Sequence, residues 1–327
     1  MNAHEILSED GAAVLAMCSG LGLKEQSDGL TPLKLSQWNE LEKALTAAKR
    51  SPASLHGLSV SDLVNLGVDQ EEAKQIARLL DRGGRLALEL ERLFSAGIWA
   101  VTRVDELYPG RLSKTLKQQA PSVLFGSGDI NLLRNAGVAI VGSRHIDETA
   151  AEFARLVGRK AVESRLAVVS GGAKGSDAIG MEAALEKGGV SMGALADSLE
   201  RTIRQADVGE YLRDGRLVLI TPYVPNAGFS IGGAMGRNKL IYGLSDYAVV
   251  ISSDFQTGGT WAGATEALKA NWCPVFVRSS DSAPKGNAEL IKLGAAAMPC
   301  EELANTSDLR DWLETHAPRR VEQAELF

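Results

Sequence analysis

Two short apolar runs, Val138-Ala139-Ile140-Val141 and Leu166-Ala167-Val168-Val169, each end in a glycine-rich turn that leads into a helix-length segment. The turns read Gly142-Ser143-Arg144 and Ser170-Gly171-Gly172-Ala173-Lys174-Gly175-Ser176-Asp177. An apolar strand that feeds a helix through a glycine turn is the repeating unit of a parallel sheet covered on both faces. The pattern recurs, with strands predicted near 138–142, 166–170, 190–195, 217–221, 247–252 and 274–278. It predicts an α/β fold, an extended Rossmann-like, doubly wound and mainly parallel sheet.

Residues 1–100 read instead as a small all-α N-terminal domain. Trp38, Leu41 and Leu45 share one helix face, with Ser36 as the expected cap. Residues 58–69 read as a short helix, a glycine turn at Gly67 and the cap of the next helix, a helix-hairpin-helix (SAM-like) pattern for which packing is the first explanation and DNA contact the alternative. The Rossmann-like domain is expected over 101–300, entered through a connecting segment that runs from Leu107-Tyr108-Pro109 to Pro121–Gly126. Residues 301–327 are expected to hold one helix, Thr306 to Glu314, and a polar tail.

Glycine turns at the carboxyl ends of parallel strands do more than reverse the chain. Gly142, Gly171, Gly172 and Gly175 allow positive φ and let an anion approach main-chain amides, while the helix behind each loop adds its positive dipole end. Arg144 and Lys174 project from the same loops, and a third segment, Gly236-Arg237-Asn238-Lys239, follows further on. Glycines in one such loop would serve strand-to-helix geometry alone; three elements in order predict an anion pocket. The pocket is not an ATP-binding loop, because the spacing that carries lysine to the β and γ phosphates is missing, nor a dinucleotide site, because no Gly-x-Gly-x-x-Gly follows the first strand.

The net charge of −6 argues against a surface that grips duplex nucleic acid broadly, and leaves room for a local basic pocket. The three cysteines are far apart and suggest neither a disulfide framework nor paired zinc ligands; the four histidines are scattered, so no metal and no cofactor is expected. His145 beside Arg144 reads as a turn residue or a phosphate contact. Ser143, Ser170 and Ser176 lack the signature of a base and oxyanion hole. Residues 1–30 show no secretory pattern, which points to the cytoplasm.

At this level the chain resembles the DNA-processing protein A family (DprA/Smf). Members carry Gly-Ser/Thr-Arg after the first strand, as Gly142-Ser143-Arg144 does here, and Ser-Gly-x-Ala-x-Gly-x-Asp after the second, matched by Ser170, Gly171, Ala173, Gly175 and Asp177. Their Arg-Asn-x-Ile/Leu-Ile-x-x-Leu-Ser is matched by Arg237, Asn238, Leu240, Ile241, Leu244 and Ser245. The resemblance covers residues 30–295. It implies a single-stranded DNA-binding protein without catalysis, a homodimer that helps load a RecA-type recombinase in natural transformation or recombination. Carried over residue by residue, Arg144, Lys174, Arg237 and Lys239 are the candidate phosphate contacts, with Gly142, Ser143, Ser170, Gly171, Gly172, Gly175 and Asn238 shaping the same site.

The chain departs from the family in three places. Gly180-Met181 stands where Ala-His is usual, Gly258-Gly259-Thr260-Trp261 replaces Ser-Gly-Ser/Thr, and Ala234 stands where an aromatic precedes the Arg-Asn pair by three residues. Loss of that aromatic removes a base-stacking platform, for which Phe229 or Trp261 are candidate substitutes. No winged helix is expected after residue 300. A nucleotide-ligand sensor of the same fold, as in phage defence, is the competing reading. A phosphoribohydrolase fits less well, because its glutamate would fall at Thr265. Gln323-Ala324-Glu325-Leu326-Phe327 resembles a sliding-clamp docking pentapeptide, in which Leu326 and Phe327 would enter an apolar groove and Gln323 would set the register.

Overall fold

A computed structural model describes residues 6–23 and 29–318. They form two compact units. The first comprises residues through Ile130 together with Ser198–Arg204 and Ile220–Ala227, and the second Asn131–Asp197, Gln205–Leu219 and the chain from Gly228 onward.

In the first unit five helices come first, Glu9–Cys18, Leu35–Ala47, Val60–Asn65, Gln70–Leu80 and Gly83–Ser95. Trp38, Leu41 and Leu45 are buried on one face as their spacing requires. The helix carrying them starts at Leu35, two residues ahead of the start that a Ser36 cap would set, and the Lys34 amide donates to Gln37 Oε1 at 2.9 Å. The hairpin after it follows the sequence pattern closely. Ser59 caps Val60–Asn65, Gly67 turns the chain at φ 88°, and Asp69 accepts from the amides of Glu71 and Glu72.

Two strands then depart from the expected plain connection. Strand β1, Ile98–Thr102, and β2, Val123–Gly128, pair antiparallel with Ile98 opposite Ser127 and Thr102 opposite Val123. The buried Asp105 ties this pair to the first helix. Its carboxylate accepts from the Thr102 amide at 2.7 Å and from the Ser8 amide at 2.9 Å. Gly11 lies so close that a Cβ there would stand 2.5 Å from the Asp105 oxygens.

The second unit contains the parallel sheet. Its strands are β3 (Gly137–Val141), β4 (Ala167–Ser170), β5 (Ser191–Ala194), β6 (Leu217–Thr221, whose last two residues belong to the first unit), β7 (Tyr247–Val250), β8 (Val275–Ser279) and β9 (Ala296–Pro299). Parallel pairing runs β5-β4-β3-β7-β8-β9, and β6 begins beside β5, where the Ser191 amide donates to Arg216 O at 2.9 Å. This is the doubly wound α/β sheet that the alternation predicts. Every residue of β3 and β4 is buried, which is why these strands read as unbroken apolar runs.

The strand order reverses at β3. The chain proceeds outward through β4 and β5, then returns by the helix Ile231–Leu244 to place β7 on the other side of β3. In open α/β sheets the crevice beyond the carboxyl ends of the strands at such a reversal is where ligands bind. Two helices close the unit. Cys300–Asn305 ends at Thr306, so the helix expected from Thr306 begins instead at Leu309, with Asp308 accepting from the amides of Arg310 and Asp311.

Candidate nucleic-acid interface

A cleft of about 720 Å³ opens at the β3/β7 reversal, wholly within the second unit. Its walls are the loop after β3 (Gly142–His145), Ala173 and Asp177 after β4, the segment after β7 (Asp254 and Thr257–Thr260), and one side of helix Ile231–Leu244, from Ile231 to Tyr242, with Phe229 before it.

The loops are tied to each other rather than left free. The Ser143 amide donates to Ser252 O at 2.9 Å, and its carbonyl accepts from the Ser176 amide at 3.3 Å. Gly175 turns at φ 84° and caps helix Ser176–Glu186; a Cβ on it would lie 2.4 Å from Arg144 O and 2.6 Å from Ser143 O. Gly142 sits as tightly, its missing Cβ 2.3 Å from Ser176 Oγ. At Gly175 glycine is required by the close approach of two backbones in addition to φ, whereas Gly142 and Gly171 do not adopt the positive φ that the sequence suggested and are glycine for the close approach of neighbouring side chains.

The segment after β7 is held from below by two buried polar side chains. Arg278 donates through Nε to Ile251 O at 2.9 Å, and Asn287 accepts from the Ser253 amide at 2.8 Å while its amide nitrogen donates to Arg278 O at 2.9 Å. This clamp places Ser252 O, the acceptor for Ser143, and so sets the separation of the two cleft walls. Nothing in the local sequence around residue 278 or 287 signals that role.

The floor carries a buried acid and a buried base. Asp177 accepts from the Gly171 amide at 3.1 Å, with Ser170 and Gly142 as further hydrogen-bonding neighbours, and Arg237 supplies the opposite charge. A Cβ on Gly171 would lie 1.8 Å from Arg237 Nη1 and 2.6 Å from Asp177 Oδ2, so both side chains seat against that glycine. Burial outweighs these favourable contacts and pushes the Asp177 carboxyl up to about 6. Tyr242, also on the floor, is raised by burial as well, and its hydroxyl has no hydrogen-bond partner among the described residues.

Of the residues that the sequence singles out, Gly142, Ser143, Arg144, Arg237 and Asn238 line the cleft. Arg144 is exposed at its edge, with its guanidinium carbon 5.2 Å from the centre of the Phe229 ring. Asn238 donates to Gly259 O at 3.0 Å, which joins helix Ile231–Leu244 to the start of helix Gly258–Ala270. The exposed Lys174 and Gly172 stand on the β4 loop outside the lining, and Gly175 and the buried Ser170 and Gly171 shape the loop from behind. Ser170 Oγ donates to Ile140 O at 2.6 Å, and the Gly171 amide is committed to Asp177. Lys239 also stands outside the lining. It is half-buried, and burial lowers its ammonium below the usual lysine range against the pull of Glu266. Gln323, Leu326 and Phe327 lie outside the described residues.

The cleft contains residues that sequence reasoning left unassigned, among them Ile231, Met235, Asp254 and Thr257. Ile231 and Met235 are apolar residues left exposed in the first turns of a helix whose second half is buried. Thr257 precedes helix Gly258–Ala270 without capping it through its side chain, so this helix starts without a side-chain cap where Gly258, Gly259 and Thr260 line the cleft.

These features define an open α/β protein whose working face is a cleft at the carboxyl ends of its strands. Residues 99–308 match the family model DNA recombination-mediator protein A, and the chain belongs to that family. It is similar to the DNA processing protein DprA of Streptococcus pneumoniae, 31% identical over 157 residues, which is 47% of this chain and 54% of that protein. Protein Smf of Escherichia coli is 29% identical over 160 residues, 47% of this chain and 41% of its own length. The matched region thus spans about half of each curated relative. Among solved structures, S. pneumoniae DprA aligns over 95% of this chain and 99% of its own, with a TM-score of 0.71 at 21% identity. Helicobacter pylori DNA processing protein A, described for its single-stranded DNA binding mode, aligns over 67% of this chain and 97% of its own with a TM-score of 0.53 at 23% identity.

Proposed function

We propose that this chain binds single-stranded DNA in the cleft at the β3/β7 reversal and acts there as a recombination mediator without bond-breaking chemistry. The observation that carries this reading is the exposed Arg144 at the edge of a cleft bounded by apolar side chains and an uncapped helix start, in a chain of the DNA recombination-mediator protein A family. Cations that hold phosphates position a strand, and apolar surface accepts its bases. Arg144 and Lys174, exposed on adjoining loops, are assigned the direct phosphate contacts. Arg237 is assigned a supporting role from the floor through Asp177. Lys239, half-buried and facing Glu266, is assigned a minor part.

The assignment is tested by titrating oligonucleotides across a salt series. Arg144→Ala and Lys174→Ala are each expected to lower the slope of log K against log salt by ~0.7, the value for one lost phosphate contact on a single strand. Lys239→Ala is expected to leave it unchanged. An unaltered slope in the Arg144→Ala, Lys174→Ala double variant would place the DNA elsewhere. The cleft volume lies in the range of small-ligand sites, so free nucleotides belong in the same titration. Competition by a mononucleotide at concentrations where the oligonucleotide is displaced would favour a nucleotide sensor.

A RecA-type recombinase, a second copy of the chain and a sliding clamp are the proposed protein partners, acting in the cytoplasm. Among the described residues no helix is long and apolar enough to cross a membrane. The clamp is assigned to Gln323, Leu326 and Phe327, as two adjacent large apolar side chains suit a groove on a partner. Removal of residues 323–327 is expected to leave melting and oligonucleotide affinity unchanged while abolishing retention on immobilised clamp. Retention by the shortened chain would put the docking elsewhere.

A further inference from the structure

Four parallel strands stand side by side in the order β4-β3-β7-β8, and their carboxyl ends lead into separate loops. Three exposed cations follow these strands in the same order. Lys174 comes after β4, Arg144 after β3, and Lys285 begins helix Lys285–Lys292 after β8. Neighbouring strands lie ~4.8 Å apart, so the row from β4 to β8 covers roughly 14 Å. Lys174 and Arg144 belong to the glycine-turn motifs, and Lys285 does not. It is nevertheless fixed to the cleft wall. A Cβ on the adjacent Gly286 would stand 2.1 Å from Ser253 O, and Asn287 accepts from the Ser253 amide at 2.8 Å. The wall that these contacts hold has two flanks. Asp254 and Thr257 line the cleft, whereas Phe255 packs edge-on against Trp261, with ring centres 5.2 Å apart, and carries the Lys285 ammonium 4.8 Å from its own centre. An ammonium resting on a ring face keeps N–H bonds turned away from the ring, where a phosphate oxygen can accept them. The acid one turn along the helix, Glu289, is engaged by Lys292 at 2.9 Å.

Resting on the single-strand reading above, we propose that Lys285 is a phosphate contact outside the cleft, and that a strand too long for the cleft leaves it over the wall after β7 and continues past the end of β8. A cleft of about 720 Å³ has the size of a small-ligand site, so a longer oligonucleotide has to run out over one of its walls. Beyond the wall after β7 the strand order places an exposed cation. That wall carries an exposed acid of its own, Asp254, which repels a crossing phosphate, and the Lys285 charge on the far flank offsets the repulsion. Lysine suits the task because a point charge on a flexible stem neutralises a phosphate without bidentate geometry and without reading the base.

The test uses the full chain and labelled oligothymidylates of ~4 and ~20 nucleotides, the shorter confined to the cleft and the longer able to reach beyond it. The wild-type slope of log K against log salt is expected to be steeper for the longer strand. Lys285→Gln is expected to lower the slope for the longer strand by ~0.7 and to leave that for the shorter one as in wild type, because one phosphate contact is lost only where the strand extends. Lys285→Arg keeps the charge and is expected to keep both slopes. Lys292→Gln, on the same helix and engaged by Glu289, provides the control and is expected to change neither. An unchanged slope for the longer strand in Lys285→Gln overturns this inference alone. An equal fall at both lengths overturns it too, since Lys285 would then act within the cleft and not beyond it. A wild-type chain that takes up neither oligothymidylate overturns the single-strand reading and the inference with it.

Discussion

Replacing Gly175 by alanine is expected to destabilise the protein by roughly 2–6 kcal/mol and to remove single-strand binding. Two costs combine. The residue holds φ 84° and ψ −132°, a region that side chains rarely adopt, and confinement there costs ~1–3 kcal/mol. Its Cβ would also meet Arg144 O at 2.4 Å and Ser143 O at 2.6 Å, and because both are backbone atoms no rotamer change relieves the clash. Forcing the loops apart adds an overpacking cost of ~1–3 kcal/mol. The same displacement carries Arg144 away from Phe229 and breaks the bond from the Ser176 amide to Ser143 O. Gly188, just beyond the other end of helix Ser176–Glu186, provides the control. It holds φ 82° with nothing within 4 Å of its missing Cβ, so Gly188→Ala bears only the conformational cost and keeps DNA binding. Chemical denaturation and oligonucleotide titration of the two variants separate the effects. Equal losses in both would mean that the loop tolerates a side chain and that φ alone sets the cost.

That contrast bears on what the sequence makes legible. Both glycines are visible in the sequence, and both turn with positive φ, yet only one is pressed between two loops, because its neighbours at 143 and 144 lie thirty residues away in the chain. The six parallel strands from β3 to β8 that the alternation predicts are legible because burial on both faces selects continuous apolar runs. Strand β9, Ala296–Pro299, sits at the edge of the sheet with Ala297 exposed, and its short Ala-Ala-Met-Pro run carries no such signal. Strand β1 is a fully buried Ile-Trp-Ala-Val-Thr run directly after Gly97 at φ 77°, an apolar run behind a glycine turn that is itself a strand signal.

The candidate site divides along the same line. Arg144 and Arg237 fall on the cleft because a strand-to-helix loop and the helix Ile231–Leu244 are placed by local patterns. The consecutive residues 237, 238 and 239 on one helix diverge by about 100° at each step, so Arg237 and Lys239 cannot face the same side. That geometry alone argues against counting all four cations as equivalent contacts. The clamp formed by Arg278 and Asn287 was not legible, since its targets are carbonyls and an amide at 251–253 that every sequence possesses. Phe229 required the fold for a related reason: only the return of helix Ile231–Leu244 across β3 sets it against Arg144.

Asp177 is expected to make the protein less stable as pH rises from about 4 to about 7, the reverse of the usual behaviour of a paired carboxylate. Its carboxyl is pushed from 3.8 up to about 6 because desolvation exceeds the help from Arg237 and the surrounding hydrogen bonds. Between those two values the folded protein holds the proton more firmly than the unfolded chain does. Folding is therefore favoured below the unfolded value, and the advantage is lost as pH rises through the folded one. At ~1.4 kcal/mol per unit, the contribution is about 3 kcal/mol across the window. Asp177→Asn removes the titration while keeping the shape of the side chain. Asparagine resembles the protonated acid, and the ionised carboxylate is held at a net cost even beside Arg237, so the variant is expected to match wild type near pH 4 and to be the more stable of the two at pH 7. The difference between the two stability curves is the quantity to measure, because every other carboxylate cancels in it. That difference should grow by about 3 kcal/mol in the variant's favour between pH 4 and 7, as Asp177 becomes charged in the wild type and the asparagine does not. Parallel curves over that interval would show that Asp177 titrates at an ordinary value and that Arg237 fully offsets its burial.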